Sequence, residues 1–208
     1  MVTHNIPDIV IGRLPIYLRE LRRLQNEGNK MTTSSHELGQ HLGISSAQIR
    51  KDLSHFGEFG KQGTGYHINY LIEQLRQILH LGTVWPVALI GAGSLGTALA
   101  YYDGFKPRGF EIRWIFDNAP GKVGNEINSM VVQPLEELED TISNNKIAIA
   151  IIATPARAAQ EIVDRLVGSG IKAVLSYAPL HLTAPDGIHI SYSDPVTELQ
   201  RMSYYLES

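Results

Sequence analysis

One stretch decides the fold of the larger part of this chain: Val87-Ala88-Leu89-Ile90-Gly91-Ala92-Gly93-Ser94-Leu95-Gly96. An apolar run ends there in the pattern G-x-G-x-x-G, and a helix-forming run follows at residues 97–100. This order predicts a β-strand, a tight turn and an α-helix. The stretch begins at residue 87, so about eighty residues precede it and need an explanation of their own.

Each glycine of this motif has a separate physical role in a dinucleotide-binding turn. Gly91 allows the tight turn, Gly93 lets the backbone approach a pyrophosphate, and Gly96 lets the helix pack closely on the strand. Asp117 lies about twenty residues further on, where an acid accepts hydrogen bonds from ribose hydroxyls. Because a carboxylate repels a 2′-phosphate, the sequence favours NAD(H) over NADP(H). The alternative is a Rossmann-like domain whose site is empty or altered.

From residue 84 the chain alternates apolar strands with helices, which predicts a mainly parallel, doubly wound α/β sheet. The predicted strands cover residues 84–90, 111–117, 130–132, 147–153, 171–177 and 188–192, and the predicted helices cover residues 94–102, 135–141, 156–167 and 196–206.

Two strand ends complete the predicted dinucleotide pocket, because ligands of such sheets bind at the carboxyl ends of the strands. Thr154-Pro155 follows the fourth strand and Tyr177-Ala178-Pro179 follows the fifth, and we expect both loops to meet the nicotinamide. Ordinary loop chemistry is the alternative. The complete predicted cofactor set is Gly91, Ala92, Gly93, Ser94, Leu95, Gly96, Asp117, Thr154, Pro155, Tyr177, Ala178 and Pro179.

The first eighty residues read as a helix-turn-helix. A helix is predicted from Ile9 to Leu24. Pro15 interrupts it, so either the regular helix begins near Leu14 or the helix is kinked there. Two further helices, at residues 35–42 and from residue 45 to about residue 56, each begin with a capping box, Ser34 with Glu37 and Ser45 with Gln48. A fourth helix follows the glycine-rich segment, with its apolar face between residues 68 and 79.

The third helix carries polar side chains suited to DNA. Ile49, Leu53 and Phe56 are expected to face the core, which leaves Ser46, Gln48, Arg50 and Lys51 largely exposed. Arginine reads guanine, glutamine reads adenine, and serine or lysine holds phosphates. A solvated polar helix face is the alternative. The predicted DNA-binding residues are Ser45, Ser46, Gln48, Arg50, Lys51, Ser54, Lys61, Gln62 and Gly63.

The segment from Gly57 to Tyr66 predicts a wing. Four glycines permit the positive φ values of a tight hairpin, and a hairpin after a recognition helix places Lys61 and Gln62 against a minor groove or phosphates. A flexible linker is the alternative, but linkers rarely carry aromatic residues such as Phe59 and Tyr66 at both ends. The first domain is therefore predicted to be a winged helix-turn-helix.

The composition limits which partners and which kinds of site this chain can have. The chain has 208 residues and a net charge of −3, with residues 1–80 at +2 and the remainder at −5, so a polyanion partner is expected at the amino-terminal part. It has no cysteine, which excludes disulfides, thiolate catalysis and cysteine-based metal sites. No apolar run spans a bilayer and no signal peptide is evident, so we expect a cytoplasmic protein.

A regulator is favoured over an enzyme. A dehydrogenase needs a general acid or base near the nicotinamide, and the candidates Tyr177, His181 and His189 have no evident partner in sequence. A small NAD-dependent oxidoreductase with an appended DNA-binding head is the main alternative. A protein whose Rossmann domain only mediates dimerisation is a third.

The chain resembles the Rex redox-sensing transcriptional repressors of bacteria over nearly its whole length. The resembling segments are residues 13–19, 48–54, 56–61, 63–66, 91–96, 98–100, 124, 158–160 and 178–179. The Arg-Lys-Asp-Leu helix combined with the glycine-rich wing is specific, whereas the glycine motif alone is not. Two segments depart from the family pattern: Ser176-Tyr177 replaces Asn-Phe, and Thr154-Pro155 replaces Val-Pro.

The resemblance implies a homodimeric repressor that binds an A·T-rich inverted repeat, is released by NADH, and binds NAD⁺ without release. It also implies that the carboxyl-terminal helix is exchanged between subunits. The predicted domains are residues 1–81 (winged helix), 82–193 (Rossmann) and 194–208 (exchanged helix). Arg19, Tyr102 and Asp194 are the candidates for a polar contact made in only one state.

Overall fold

The computed structural model describes residues 6–28, 30–61 and 64–206. Chain contacts divide it into two compact units, Met1–Thr83 and Val84–Ser208. Within the described residues, no helix is long and apolar enough to cross a membrane.

The first unit is a helix-turn-helix with a small sheet. Its elements are α1 (Asp8–Asn26), β1 (Thr32–Thr33), α2 (Ser35–Leu42), α3 (Ser46–Ser54), β2 (Gly60–Lys61), β3 (Gly65–His67) and α4 (Ile68–Ile78). The strands are antiparallel in the order β1-β3-β2, so the wing hairpin β2–β3 is joined by a strand that the sequence pattern did not predict. A two-residue strand is too short to show a period of two.

Helix α1 excludes one of the two alternatives predicted at Pro15. The helix begins at Asp8 and continues through Pro15 to Asn26, so it does not start near Leu14. Proline removes one hydrogen bond, to the carbonyl of Ile11. Ile11 is exposed, so water can take the place of the missing donor. Leu14, Tyr17, Leu18 and Leu21 supply the buried face that holds the helix in place.

The second unit is a doubly wound sheet in the order β10-β9-β8-β4-β5-β7-β6. Its elements are β4 (Trp85–Ile90), α5 (Ser94–Ala100), β5 (Phe110–Asp117), β6 (Glu126–Ile127), β7 (Met130–Pro134), α6 (Leu138–Asn145), β8 (Ile149–Ile152), α7 (Ala156–Ser169), β9 (Ala173–Ser176), β10 (His189–Tyr192) and α8 (Pro195–Ser203). All neighbouring pairs are parallel except β6 with β7.

Several predicted bounds of this unit need correction. The strand predicted at 147–153 begins at Ile149, the one at 171–177 begins at Ala173, and the last helix ends at Ser203. The helix predicted at 135–141 is a 3₁₀ turn at Leu135–Glu137 followed by α6. Strand β6 was not predicted, because its two residues carry no recognisable period.

Both faces of the central sheet are buried. Phe116, Ile152 and Leu166 belong to the core on the side of α6 and α7. Leu89 and Ile115 belong to the core on the side of α5. The chain crosses from one face to the other between β4 and β8, and this is the topological switch point where ligands of such sheets bind.

Candidate functional site

The recognition helix α3 is positioned by a close turn and a cap. A Cβ on Gly39 would lie 2.3 Å from the carbonyl oxygen of Ile44, so only glycine lets α2 approach the turn into α3. Ser34 Oγ accepts from Glu37 N at 3.1 Å, and Ser45 Oγ accepts from Gln48 N at 3.2 Å. These two caps confirm the predicted starts of α2 and α3.

In a capping box, the side chain three residues after the cap also accepts a hydrogen bond from the backbone N–H of the cap residue. This second part of the prediction is wrong for both α2 and α3. The Glu37 carboxylate accepts from Thr33 Oγ1 at 2.7 Å and from Lys30. Gln48 Nε2 donates instead to Asp52 Oδ1 at 2.7 Å. Both side chains therefore have other partners than the backbone of the cap residue.

A buried carboxylate ties the recognition helix to α1. Asp52 is fully buried and accepts from Arg13 Nε at 2.5 Å, Arg13 Nη2 at 2.7 Å and Tyr17 Oη at 2.5 Å, besides Gln48. Burial works to raise the pKa of Asp52, but the hydrogen bonds from Arg13, Tyr17 and Gln48 outweigh it and lower the pKa. The network fixes α3 against α1.

The predicted DNA-binding residues in and next to α3 differ in their exposure. Arg50 and Lys51 are exposed, as predicted, and so are Ser45 and Ser54. Ser46 and Gln48 were also predicted to be largely exposed, but both are half-buried. For Gln48, its bond to buried Asp52 explains the difference. The exposed Arg50 donates from its Nη1 to Ser35 Oγ at 3.1 Å.

A cleft lies between the helices and the wing. It has a volume of about 840 Å³ and is lined by residues that include Ser35, Arg50 and Tyr66. Gly65 (φ +76°) approaches the backbone of Thr33 so closely that a Cβ would lie 2.3 Å from its carbonyl oxygen. Lys61 ends β2, and the predicted contacts Gln62 and Gly63 fall outside the described residues.

In the second unit the glycine turn has the predicted geometry. Gly91 has φ +107°, and a Cβ there would lie 2.5 Å from the Ala153 carbonyl oxygen. A Cβ on Gly96 would lie 1.8 Å from the Gly91 carbonyl oxygen. A Cβ on Gly93 would meet nothing within 4 Å, so the protein leaves open space above this residue. Ala92 is buried, whereas Ser94 and Leu95 are exposed at the start of α5.

Asp117 joins the glycine turn to the end of β5. Its Oδ2 accepts from Ala92 N at 2.8 Å and Lys122 Nζ at 3.0 Å, and its Oδ1 accepts from Ala119 N at 2.8 Å. Burial works to raise the pKa of Asp117, but the bonds from Ala119, Lys122 and Ala92 outweigh it and lower the pKa. Sequence reasoning missed Lys122, because a lysine in a turn carries no signal of its own.

The loops after β8 and β9 also stand at the carboxyl edge of the sheet. Thr154 lies beside Gly91, and its Oγ1 is buried without a hydrogen-bond partner. Pro155 caps α7. Ser176 Oγ accepts from Ala178 N at 3.2 Å, which orders the second loop. Of its predicted contacts, Tyr177 is half-buried and Pro179 is exposed.

Ala178 is packed into the core instead of being open to a ligand. It nevertheless contributes, together with Pro179, His181, Tyr192 and Asp194, to the wall of a cleft of about 580 Å³. His181 stacks on Tyr192 with ring centroids 6.0 Å apart. His189 lies within β10.

The three residues predicted to form a polar contact in only one state differ in their surroundings. Arg19 is exposed on α1 of the first unit. Tyr102 is 54% exposed, and its hydroxyl accepts from Arg108 Nη1 at 3.2 Å. Asp194 was not predicted as a helix cap, yet its Oδ1 accepts from Val196 N at 2.9 Å and begins α8. Bonds from the Thr197 hydroxyl and the Val196 amide lower the pKa of Asp194.

Helix α8 exposes an apolar face. Val196, Leu199 and Met202 are each more than half exposed, and no residue of α8 is buried. No group of three metal-ligating side chains occurs in the parts of the chain that the structure describes.

Comparison with known proteins assigns the chain to a family. A family model described as "CoA binding domain" matches residues 83–180, and one described as "Putative DNA-binding protein N-terminus" matches residues 5–54. A redox-sensing transcriptional repressor Rex from Roseiflexus sp. is 52% identical over 96% of this chain and 90% of its own length. The chain belongs to the Rex family of redox-sensing transcriptional repressors.

Other Rex proteins are similar to this chain over nearly their whole length. The Rex of Brevibacillus brevis is 46% identical over 99% of this chain and 100% of its own. A crystal structure of the Rex-family repressor RSP with NAD⁺ and operator DNA has a TM-score of 0.91, with 39% identity over 97% of this chain and 93% of that one. The structure of RSP with NADH has a TM-score of 0.87, with 37% identity and coverages of 97% and 94%.

The family assignment decides between the interpretations of the sequence. The predicted α/β fold with an amino-terminal winged helix-turn-helix is confirmed. Because the relatives are named as transcriptional repressors, the chain is a regulator and the oxidoreductase alternative is excluded.

Proposed function

We propose that this Rex protein is a homodimeric, cytoplasmic repressor that binds an A·T-rich inverted repeat and is released from it by NADH. The observation that carries the proposal is the presence, in one chain, of a capped recognition helix with a wing and of a glycine turn joined to Asp117. The likeness to RSP in complexes with operator DNA and with both oxidation states of the dinucleotide supports it.

The residues at the switch point fit a dinucleotide. Open space above Gly93 admits a pyrophosphate, since a Cβ there would meet nothing within 4 Å beyond Gly93 and its two chain neighbours. Thr154 Oγ1 lacks a partner and can supply a hydrogen bond to a ligand. Asp117, held ionised by Ala119, Lys122 and Ala92, is placed to accept from ribose hydroxyls.

The protein's task at this site is to bind and to discriminate, since the family is a repressor family. The bound dinucleotide supplies a nicotinamide ring that is cationic when oxidised and neutral when reduced. In this proposal Pro155, Tyr177 and Pro179 surround the nicotinamide half. A ligand that binds two states equally shifts nothing, so NADH and NAD⁺ must differ in their contacts there.

On the DNA side, the helix α3 enters the major groove. Arg50 reads guanine and Gln48 reads adenine, while Ser45, Ser46, Lys51 and Ser54 hold phosphates. The wing residues Lys61, Gln62 and Gly63 lie along the minor groove or the phosphates. The two recognition helices of a dimer must stand about 34–36 Å apart to reach successive major grooves.

The proposed domains are residues 1–81, 82–193 and 194–208. The exposed apolar face of α8 supports its exchange between subunits, because an uncovered row of Val196, Leu199 and Met202 needs a partner surface. Arg19, Tyr102 and Asp194 are proposed to meet in only one of the two states. That contact would have to compete with the bonds that Tyr102 and Asp194 already make.

Two binding measurements on the purified chain test this function. Isothermal titration calorimetry with NADH should show binding, and fluorescence anisotropy with an A·T-rich palindrome should show binding that weakens steeply with added salt. Arg50→Ala combined with Lys51→Ala should weaken DNA binding and leave NADH affinity unchanged. A chain that binds neither ligand would overturn the proposal.

A further inference from the structure

The carboxyl edge of the sheet holds polar atoms that the protein itself does not satisfy. Within residues 6–28, 30–61 and 64–206, two buried side-chain oxygens lack a hydrogen-bond partner: Thr154 Oγ1 and Gln133 Oε1. Buried polar groups are almost always paired, because an unpaired one loses its hydrogen bonds to water without compensation. Thr154 stands at the switch point between β4 and β8, whereas β4 and β5 separate Gln133 from that crevice.

Thr154 contacts the glycine turn directly. A Cβ on Gly91 would lie 3.0 Å from Thr154 Cγ2, so the methyl group of this threonine faces the turn. The backbone on which Thr154 stands is held by the bond from Ala153 N to the Ile90 carbonyl at 2.8 Å. A turn of about 120° about χ1 separates the staggered positions of the methyl and hydroxyl groups. The hydroxyl can therefore reach the side of the turn without movement of the backbone.

We infer that Thr154 is a specific hydrogen-bond donor to the pyrophosphate of the bound dinucleotide. This inference rests on the proposed function and deepens it. The pyrophosphate lies over the glycine turn in such folds, and the Thr154 side chain packs against Gly91. Phosphate oxygens only accept hydrogen bonds, so the hydroxyl donates. The contact lies on the part of the ligand that NADH, NAD⁺ and ADP-ribose share.

Removal of the hydroxyl should have opposite effects on stability and on binding. Thr154→Val replaces the unpaired oxygen by a methyl group of the same shape, so the unliganded chain should unfold at the same or a higher urea concentration. The variant should bind NADH, NAD⁺ and ADP-ribose each about tenfold more weakly, which corresponds to about 1.4 kcal/mol. Thr154→Ser keeps the donor and should stay within about threefold of wild-type affinity.

Thr33→Val is the matched control, because Thr33 is buried and its hydroxyl donates to Glu37 at 2.7 Å. The same chemical change should there lower stability and leave dinucleotide affinity unchanged.

The outcomes separate this inference from the proposed function. A wild-type chain that fails to bind NADH overturns the function. Wild-type binding with Thr154→Val binding equally well overturns the inference, and so does a loss confined to NADH and NAD⁺, which would place the contact on the nicotinamide. A Thr154→Val chain that is less stable without ligand would show that the hydroxyl has a partner within the protein, and would overturn it too.

Discussion

Arg13 on α1 donates two hydrogen bonds to the buried carboxylate of Asp52 on α3, from Nε at 2.5 Å and from Nη2 at 2.7 Å. The pair joins the first helix to the recognition helix across 39 residues of sequence. Breaking such a buried pair costs more than forming it contributes, because the remaining charge is left without compensation. The orientation of α3 therefore depends on the charge of Asp52.

The stability of the chain should fall in acid because of Asp52. Its pKa is lowered in the folded state, so the stability it contributes is fully present above the unfolded value near pH 4 and is lost as the pH falls through the lower folded pKa. Asp52→Asn should be about 3 kcal/mol less stable than wild type at pH 7. Urea unfolding at pH 7 and pH 3 should show this difference shrinking in acid. A constant difference would contradict the assigned ionisation.

Substitutions at Gly93 and Gly96 should have different effects, because the space beside Gly93 is open to a ligand whereas protein atoms fill the space beside Gly96. Gly93 has φ −80° and open space around its Cβ position, so Gly93→Val should fold with stability within about 1 kcal/mol of wild type and bind NADH at least about tenfold more weakly. Gly96→Ala places a Cβ 1.8 Å from the Gly91 carbonyl oxygen and should lose about 2 kcal/mol or more. Calorimetry and urea unfolding measure both. Normal NADH binding by Gly93→Val would contradict the placement of the dinucleotide above Gly93.

Asp117 should control the choice between NADH and NADPH. Asp117→Asn removes the charge that repels a 2′-phosphate and frees Lys122, whose Nζ lies 3.0 Å from Asp117 Oδ2, to attract it. The ratio of the NADPH and NADH dissociation constants should fall about tenfold. Lys122→Gln is the control and should move the ratio in the opposite direction. Titration of each variant with both nucleotides gives the ratio, and an unchanged ratio in Asp117→Asn would exclude this role.

Helix α8 should be needed for the dimer. Leu199 is 63% exposed on the apolar face of α8, so Leu199→Asp should convert the dimer into a monomer. Gln200→Asp introduces the same charge on an exposed polar position of the helix and should leave the dimer intact. Light scattering after size-exclusion chromatography distinguishes the two masses. A dimeric Leu199→Asp chain would mean that α8 packs outside the dimer interface.

Local signals in the sequence predicted most of the elements. The run that ends in Gly91-Ala92-Gly93 identified the strand, turn and helix, and Ser34 and Ser45 fixed two helix starts, because a strand, a turn or a cap is determined by residues within a few positions of one another. Pro15 left two alternatives open, and the helix continues through it because the burial of the α1 face outweighs one lost hydrogen bond.

The site was less predictable, because its decisive contacts join residues far apart in sequence. Nothing near Gln48 indicates that its amide bonds a carboxylate paired with Arg13. The unpaired hydroxyl of Thr154 became visible only when β8 was placed beside β4. Asp117 could be predicted as a site residue because its spacing from the glycine turn is characteristic, whereas Lys122 has no such spacing.

Displacement of DNA by the dinucleotide is the most direct test of the central claim. A labelled A·T-rich palindrome bound to this protein is followed by fluorescence anisotropy at fixed salt, with NADH titrated in one series and NAD⁺ in another. Release by NADH at concentrations at which NAD⁺ leaves the complex intact is the predicted result. By linkage, DNA should then weaken NADH binding by the same factor. DNA binding that is indifferent to both nucleotides would contradict the account of a redox-sensing repressor.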